Sequence, residues 1–504
     1  MESMFANFGM QVAAPEIFLA AAICVVLLVD VFLSDRTRWV TYALSLLTLA
    51  GCAWMTVRYG VNERVIAFDG MYVADPMGDL LKLFSYGTVA VAFLYSREYL
   101  QRRGLFKGEY FVLGLIALLG IMVMVSAGNL LTVYLGVELL SLALYAMVAF
   151  DRDSGIAAES AMKYFVLGAI SSGMLLYGFS IVYGIAGTLQ LDEIALEISA
   201  VESHIGLVFA LVFIIGGVAF KFGAVPFHMW VPDVYHGAPT PVTLFLGAAP
   251  KLGSFVLAIR VLAEGLESMV GSWQDMLIIL AVLSMAIGNI VAIAQSNLKR
   301  MLAYSTISHV GFILLGILAG TNDGYRAAMY YTFAYVIMSV GAFGMILLLA
   351  REGFEADRID DFRGLNRKSP WFAAVMLMLM FSLAGVPPFL GFWAKLEVLA
   401  AVVKVELFWL AALAVVFSVI GAFYYLRVVK VMYFDEPADT QPIQAGGTVR
   451  LVLSLNGLAV LVLGIFPSLL LDPVDQALCD QEVRGGACVQ TTVAEVQDPL
   501  ASRP

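Results

Sequence analysis

Charge is what this chain has least of. Only 13% of its 504 residues are Asp, Glu, Lys or Arg, against 61% that are hydrophobic, whereas a soluble domain carries roughly 25% charged residues. Such a composition excludes a water-soluble globule and places the mass of the protein in a bilayer. With 39 acidic and 29 basic residues, a net charge of −10 and no basic domain, nucleic acid is excluded as a partner. Cysteine is also scarce, at four. Cys24 and Cys52 lie in apolar runs and read as packing residues, while Cys479 and Cys488 are in a polar tail and can pair only if it faces an oxidising compartment. There is no C-x-x-C pair to ligate a cluster or zinc, and no G-x-G-x-x-G in a βαβ unit to hold a dinucleotide. Met1–Pro15 contains no Lys or Arg, so the first apolar stretch lacks the positive flank of a cleavable signal and reads as a membrane helix that stays.

What is present is a series of long apolar runs. A helix needs about 20 apolar residues to cross the hydrocarbon core, and fourteen runs qualify: 16–34, 39–57, 76–96, 109–127, 130–150, 160–185, 207–229, 240–262, 273–294, 300–320, 326–350, 370–396, 405–428 and 450–471. The stretch 109–150 is almost continuous and too long for one crossing, so it must turn at Gly128-Asn129. Lys and Arg divide unequally between the two sides, 17 against 7. The richer side, with Arg102, Arg103, Lys299, Arg300, Arg363 and Arg367 among its residues, is therefore cytoplasmic. Both termini and the acidic loop Gly187–Ile205 then face outward.

Two internal matches give an inverted repeat. Gly120–Leu130 (G-I-M-V-M-V-S-A-G-N-L) aligns with Gly288–Leu298 (G-N-I-V-A-I-A-Q-S-N-L), 168 residues on, and A-V-P-F at Ala224–Phe227 aligns with V-P-P-F at Val386–Phe389, 162 residues on. An odd number of helices separates the matched spans, so the two repeats run oppositely through the membrane. Proline breaks a helix by removing a donor and crowding the preceding turn. At membrane depth the freed carbonyls must be enclosed by protein or face water. The seventh and twelfth spans are therefore expected to be discontinuous, each beside a lysine; a plain kink with no role is the alternative.

The residues that demand explanation are five ionisable side chains inside these spans: Glu138, Lys221, Lys251, His309 and Lys395. A charge at bilayer depth costs at least ~2.5–3.5 kcal/mol on insertion scales, which makes such residues rare and usually functional. If Glu138 and Lys221 touch, each favours the charged form of the other; if they separate, both are driven toward neutrality. A contact of this kind that opens and closes moves protons, whereas one that never opens only pins two helices. Lys251, in A-A-P-K-L-G, has no acid in its own span. His309, in Y-S-T-I-S-H-V-G, has an ordinary pKa of about 6.5 and two exchangeable nitrogens, with hydroxyls at Tyr304, Ser305, Thr306 and Ser308 to hold water. By length alone Lys395 snorkels to an interface, although the break at Pro387-Pro388 offers it a deeper seat. Asp233, His228 and His236 fall in the segment joining spans seven and eight, and Lys82, Asp79 and Lys163 read as interfacial.

Three runs resemble a known family: H-G-A-P-T-P-V-T (His236–Thr243), N-L-K-R-M-L-A-Y-S-T-I-S-H (Asn297–His309) and G-V-P-P-F-L-G-F-W-A-K (Gly385–Lys395). They are similar to the antiporter-like membrane subunits of respiratory complex I and to the related Mrp cation/proton antiporters, over roughly residues 109–430. Within that family the N branch fits best, because lysine stands at 395, where the M branch is expected to carry glutamate, and because no long lateral helix follows the fourteenth span, as in the L branch. The resemblance implies a Glu138–Lys221 switch pair, a central Lys251, a bridging His309 and a terminal base at Lys395.

The expectation is thus an all-α polytopic membrane protein of about 14 transmembrane helices. Three N-terminal helices (1–108) precede a first five-helix repeat (109–262) and a second, inverted one (273–430), followed by a last helix and a polar tail (431–504). The expected function is proton translocation coupled to quinone reduction elsewhere in an NADH–quinone oxidoreductase of a bacterial inner membrane. FMN, iron–sulfur clusters and quinone would reside in partner subunits, and a sister antiporter-like subunit would adjoin this one. A sodium/proton antiporter of Mrp type is the alternative, and a structural membrane anchor is a further one.

Overall fold

A computed structural model of the chain describes residues 10–200, 205–437 and 441–479. The conditional pairing of Cys479 with Cys488 lies outside the described residues. Helices are labelled in chain order, leaving one-turn pieces unlabelled. They are α1 (Ala14–Val31), α2 (Trp39–Tyr59), α3 (Pro76–Arg102), α4 (Gly108–Val125), α5 (Leu130–Val148), α6 (Gly155–Ala186), α7 (Leu191–Ser199), α8 (Ile205–Phe222) and α9 (Trp230–Gly237). They continue with α10 (Thr240–Ala258), α11 (Val270–Ile293), α12 (Leu298–Leu318), α13 (Asn322–Leu349), α14 (Pro370–Ala384), α15 (Leu390–Lys404), α16 (Phe408–Phe434), α17 (Gly447–Ile465) and α18 (Ser468–Cys479). Among the described residues thirteen helices are long and apolar enough to cross a bilayer, and the shorter apolar α14 forms the first half of the twelfth expected span.

Position in the bundle follows sequence character. Every residue of α10 is buried, and α12 and α13 are nearly as enclosed. α1, α16 and α17 present leucine, valine and aromatic side chains outward, among them Leu28, Val419 and Leu451. Leucine facing outward is at home in lipid, where only the backbone must be satisfied internally, as a helix does. Cys24 is one of these outward residues, so it is not a packing residue, whereas Cys52 is fully buried. A short hairpin, β1 (Val65–Ala67) with β2 (Tyr72–Ala74), joins α2 to α3. It and α7 were not evident from hydropathy.

The two halves repeat one set of contacts at an offset of 168. Asn129 caps α5 by accepting from Thr132 N at 2.8 Å, and Asn297 caps α12 by accepting from Arg300 N at 3.0 Å. Asn129 bridges Gln190, and Asn297 bridges Arg358. A Cβ on Gly120 would meet Leu140 N at 2.5 Å, and one on Gly288 would meet Ser308 N at 2.6 Å. Glycine there lets α4 lie on α5, and α11 on α12, backbone to backbone. Both expected breaks are present. α8 ends at Phe222 with Gly223 in the left-handed region (φ 80°), α14 ends at Ala384 with Gly385 likewise (φ 86°), and a new half-helix follows each.

Three residues are placed differently from the sequence expectation. Lys82 is not interfacial: it is 1% exposed and pairs with Glu16 at 2.7 Å, with the Tyr72 hydroxyl 3.1 Å away. Arg260, counted on the poorer, outward side in the 17-against-7 division, is instead wholly buried at the start of a π-helical stretch (Ile259–Gly265), where it pairs with Asp75 at 2.7 Å and Glu264 at 2.6 Å and donates to Val125 O. Lys299 is buried as well. In each case hydropathy placed the residue near a span end, but the neighbouring elements (the hairpin, α1 and the loop before α10) fold over it.

Candidate functional site

The break in α8 explains why the lysines are where they are. Proline at 226 and the left-handed turn at Gly223 leave the last carbonyls of α8 without the usual amides. α10, packed alongside, supplies the donors: Lys251 Nζ donates to Phe222 O at 2.8 Å and Ser254 Oγ to Lys221 O at 3.0 Å. The second repeat solves the same problem similarly. Lys395 Nζ donates to Ala384 O at 2.8 Å and to Ser418 Oγ, on α16, at 2.9 Å. An ammonium without a counter-ion tolerates burial only where such dipoles replace water. Both lysines also stand over aromatic faces, Lys251 at 5.8 Å from the Trp230 ring centroid and Lys395 at 5.2 Å from that of Phe312. Lys395 is only 9% exposed, because its half-helix runs on to Lys404; snorkelling is ruled out.

Lys221 and Glu138 face the same part of the interior but are not bonded. No ion pair of 4.0 Å or less joins them among the described residues. Lys221 Nζ donates instead to Ser141 Oγ at 2.8 Å and Ser172 Oγ at 3.2 Å. Ser141 is one turn beyond Glu138 on α5, and Oε1 of Glu138 is buried with no hydrogen-bond partner. In this geometry the two side chains expected to pair are apart. A cavity of about 20 Å³, lined by Ser141, Tyr164, Lys221, Trp230, Pro250 and Ser254 among others, adjoins it and has room for about one water molecule.

His309 is 3% exposed and hydrogen-bonded at both nitrogens. Nδ1 lies 2.7 Å from the Tyr331 hydroxyl and Nε2 lies 3.1 Å from that of Tyr425. Tyr425 also meets Ser305 Oγ at 2.5 Å, and Thr306 Oγ1 meets the Tyr335 hydroxyl at 2.7 Å. Every partner of the imidazole is a hydroxyl that both gives and takes a proton, so the ring can change tautomer without losing a bond. The Phe312 ring stacks on Tyr331 and stands between this cluster and Lys395.

The segment after the first break divides its residues. Asp233 pairs with Lys163 and Arg300, each at 2.9 Å. Desolvation opposes its charge, but these two donors outweigh it and hold the carboxyl below the ordinary range. Burial, reinforced by Lys299, pulls His236 below its ordinary value. Among the described residues no hydrogen bond or ion pair joins His228 or His236 to a relay candidate.

Of the five sequence candidates, Glu138 lies within electrostatic reach of Lys221, and His309 within reach of Lys395, while Lys251 rests on the carbonyl of Phe222, next to Lys221. Sequence reasoning did not single out Ser141, Ser172, Tyr331, Tyr425 and Ser418. Ser141 carried a usable signal, its spacing of three from Glu138, but the other four come from distant helices and carried none.

Comparison with known proteins gives consistent matches. The family model described as NADH:quinone oxidoreductase/Mrp antiporter, transmembrane, matches residues 127–421. The NADH-quinone oxidoreductase subunit N of Thiobacillus denitrificans is 62% identical over 467 residues, covering 92% of this chain and 97% of the relative. That of Nitrosomonas europaea is 56% identical, covering 91% and 96%. Among solved structures, a chain of respiratory complex I from Thermus thermophilus matches with a TM-score of 0.78 and 29% identity, covering 91% of this chain and 98% of that one. A chain of the Mrp complex from a Dietzia species matches with a TM-score of 0.82 at 20% identity, covering 94% and 97%, which is a likeness of fold alone.

Proposed function

The chain belongs to the NADH:quinone oxidoreductase/Mrp antiporter membrane family, and from that premise we propose that it is the proton-translocating subunit N of a bacterial NADH–quinone oxidoreductase. The observation that carries the reading is the pair of buried bases seated on broken-helix carbonyls, Lys251 on Phe222 and Lys395 on Ala384, with His309 between hydroxyls and Lys221 bonded to Ser141 rather than Glu138. Closing the Glu138–Lys221 contact stabilises both charges; opening it releases a proton from the lysine side and lets the glutamate take one. Lys251, His309 and Lys395 pass protons onward. The catalytic residues in this reading are Glu138, Lys221, Lys251, His309 and Lys395.

In the same proposal, residues 1–108 precede a first repeat (109–262) and a second (273–430), with 431–504 completing the chain. The protein lies in the inner membrane with both termini periplasmic. It adjoins other membrane subunits, a sister antiporter-like subunit among them, and NADH oxidation, FMN, iron–sulfur clusters and quinone belong to partner subunits. The strong identity to subunits N favours this reading over an Mrp-type sodium/proton antiporter. The test is Glu138→Gln in the assembled complex, with proton pumping and NADH oxidation measured together. Pumping is expected to collapse. Unchanged pumping would sink the switch, and sodium-dependent pH gradients without NADH oxidation would favour the antiporter.

A further inference from the structure

Lys299 plays no part in the relay described above, yet it is 2% exposed. It lies in the first turn of α12, and its Nζ donates to the carbonyl of Ala238 at 2.7 Å, the residue that closes half-helix α9. Among the described residues no carboxylate lies within ion-pair distance of it. The seat is of the same kind as those of Lys251 on Phe222 and Lys395 on Ala384, a buried ammonium on the last carbonyl of a half-helix. With no counter-ion to leave stranded, such a lysine can give up its proton and take it back.

Its surroundings connect two regions. Toward the side assigned to the cytoplasm, Glu355, Asp357, Arg103 and His236 lie within electrostatic reach. Glu355 pairs with Arg103 at 2.7 Å and accepts from Tyr99 and Thr240; Asp357 accepts from Asn297 Nδ2 at 2.7 Å. Toward the interior, Thr306 is seven residues on, close to two full turns, so it stands over Lys299 at roughly 10 Å along the axis. Thr306 meets the Tyr335 hydroxyl, and the Tyr335 ring lies 5.2 Å from that of His309. In the first repeat the corresponding position is Leu131, so this device belongs to the second repeat alone.

We propose that Lys299 is the group that takes up protons at the cytoplasmic mouth and passes them to His309. The proposal rests on the proton-translocation reading above. The ammonium gives one proton inward through water and the Thr306–Tyr335 hydroxyls. The neutral amine then takes one from water at the mouth, where Glu355 and Asp357 raise the local proton concentration. Only N–H and O–H bonds are made and broken, and Lys299 returns to its starting charge.

The test uses the assembled complex in membrane vesicles and compares Lys299→Arg, Lys299→Gln and Lys299→His, with Glu138→Gln alongside. Arginine and glutamine both keep a donor for Ala238 O, but arginine does not release its proton and glutamine carries none. Both are expected to lower pumping-linked turnover by about tenfold or more, since losing a proton-transfer group costs roughly 100-fold or more in a step that only partly limits the cycle. Histidine, with an ordinary pKa of about 6.5, is expected to restore pumping with its optimum moved to lower pH. Normal pumping by the arginine and glutamine variants overturns the proposal. So does failure of all three to assemble, which would make Lys299 a helix cap. Glu138→Gln reads the broader function independently: if it pumps normally the relay itself fails, and if it alone is defective only the role of Lys299 does.

Discussion

Removing the Ser141 hydroxyl is expected to close the Glu138–Lys221 pair. Lys221 Nζ is held by Ser141 at 2.8 Å and, more weakly, by Ser172 at 3.2 Å, while a buried carboxylate oxygen of Glu138 has no partner. A hydrogen bond to a charged group contributes about 1.5–3 kcal/mol. Ser141→Ala removes that much from the open arrangement and leaves the Glu138 carboxylate, one turn away, as the best remaining acceptor. At about 1.4 kcal/mol per factor of ten, the balance moves toward the paired state by about tenfold at the low end of that range. A relay that must open this pair in every cycle slows by a similar factor. Ser141→Thr keeps the hydroxyl and serves as the control. Ser172→Ala, which loses the longer bond, is expected to have the smaller effect. The assay is the initial rate of acidification in inverted vesicles, divided by the NADH oxidation rate of an uncoupled sample and normalised to assembled complex. If Ser141→Ala pumps like the parent while assembled to the same level, the open arrangement has no mechanistic weight and the reasoning fails.

Tyr425→Phe removes the partner of His309 Nε2 and of Ser305 together; pumping is expected to fall several-fold with assembly kept, measured in the same vesicles. Arg260→Met leaves Asp75 buried without its cation, a loss of about 3–5 kcal/mol when one partner of a buried pair is removed, and is expected to lower the yield of assembled complex and its thermal midpoint. The double variant Arg260→Met/Asp75→Asn should recover part of that loss. For Asp233, whose folded pKa is depressed by Lys163 and Arg300 despite desolvation, the stabilising contribution is complete above the ordinary carboxyl pKa and is lost as pH falls through the folded value. Asp233→Asn is therefore expected to lower the thermal midpoint at neutral pH, with the difference from the parent vanishing below the folded pKa.

The relay candidates were legible because a charge in an apolar run conflicts with its surroundings, and the conflict is visible without coordinates. Glu138, Lys221, Lys251 and His309 were marked in this way, and the two Pro-containing breaks were marked because proline cannot continue a helix. The same logic failed at Lys82, Arg260 and Lys299, all near span ends. There hydropathy cannot separate a side chain that reaches water from one that a hairpin, a neighbouring helix or a half-helix has covered. The Asn-Leu match at an offset of 168 was readable as a repeat because capping asparagines and close-approach glycines are fixed by backbone needs that recur with the fold.

The sequence by itself determined that this protein lives in a bilayer, where it turns and which side chains do not belong in lipid, since each of these follows from the local cost of placing a residue at a given depth. Only the tertiary structure decided what those side chains touch. That Lys251 rests on Phe222, Lys395 on Ala384 and Ser418, Lys221 on Ser141 rather than Glu138, and His309 between Tyr331 and Tyr425 depends on hydrogen-bond geometry at distances of 2.7–3.2 Å between groups as many as 116 residues apart. Contacts of that kind are set by how helices pack, and beyond the spacing of Ser141 from Glu138 no local feature of the chain encodes them.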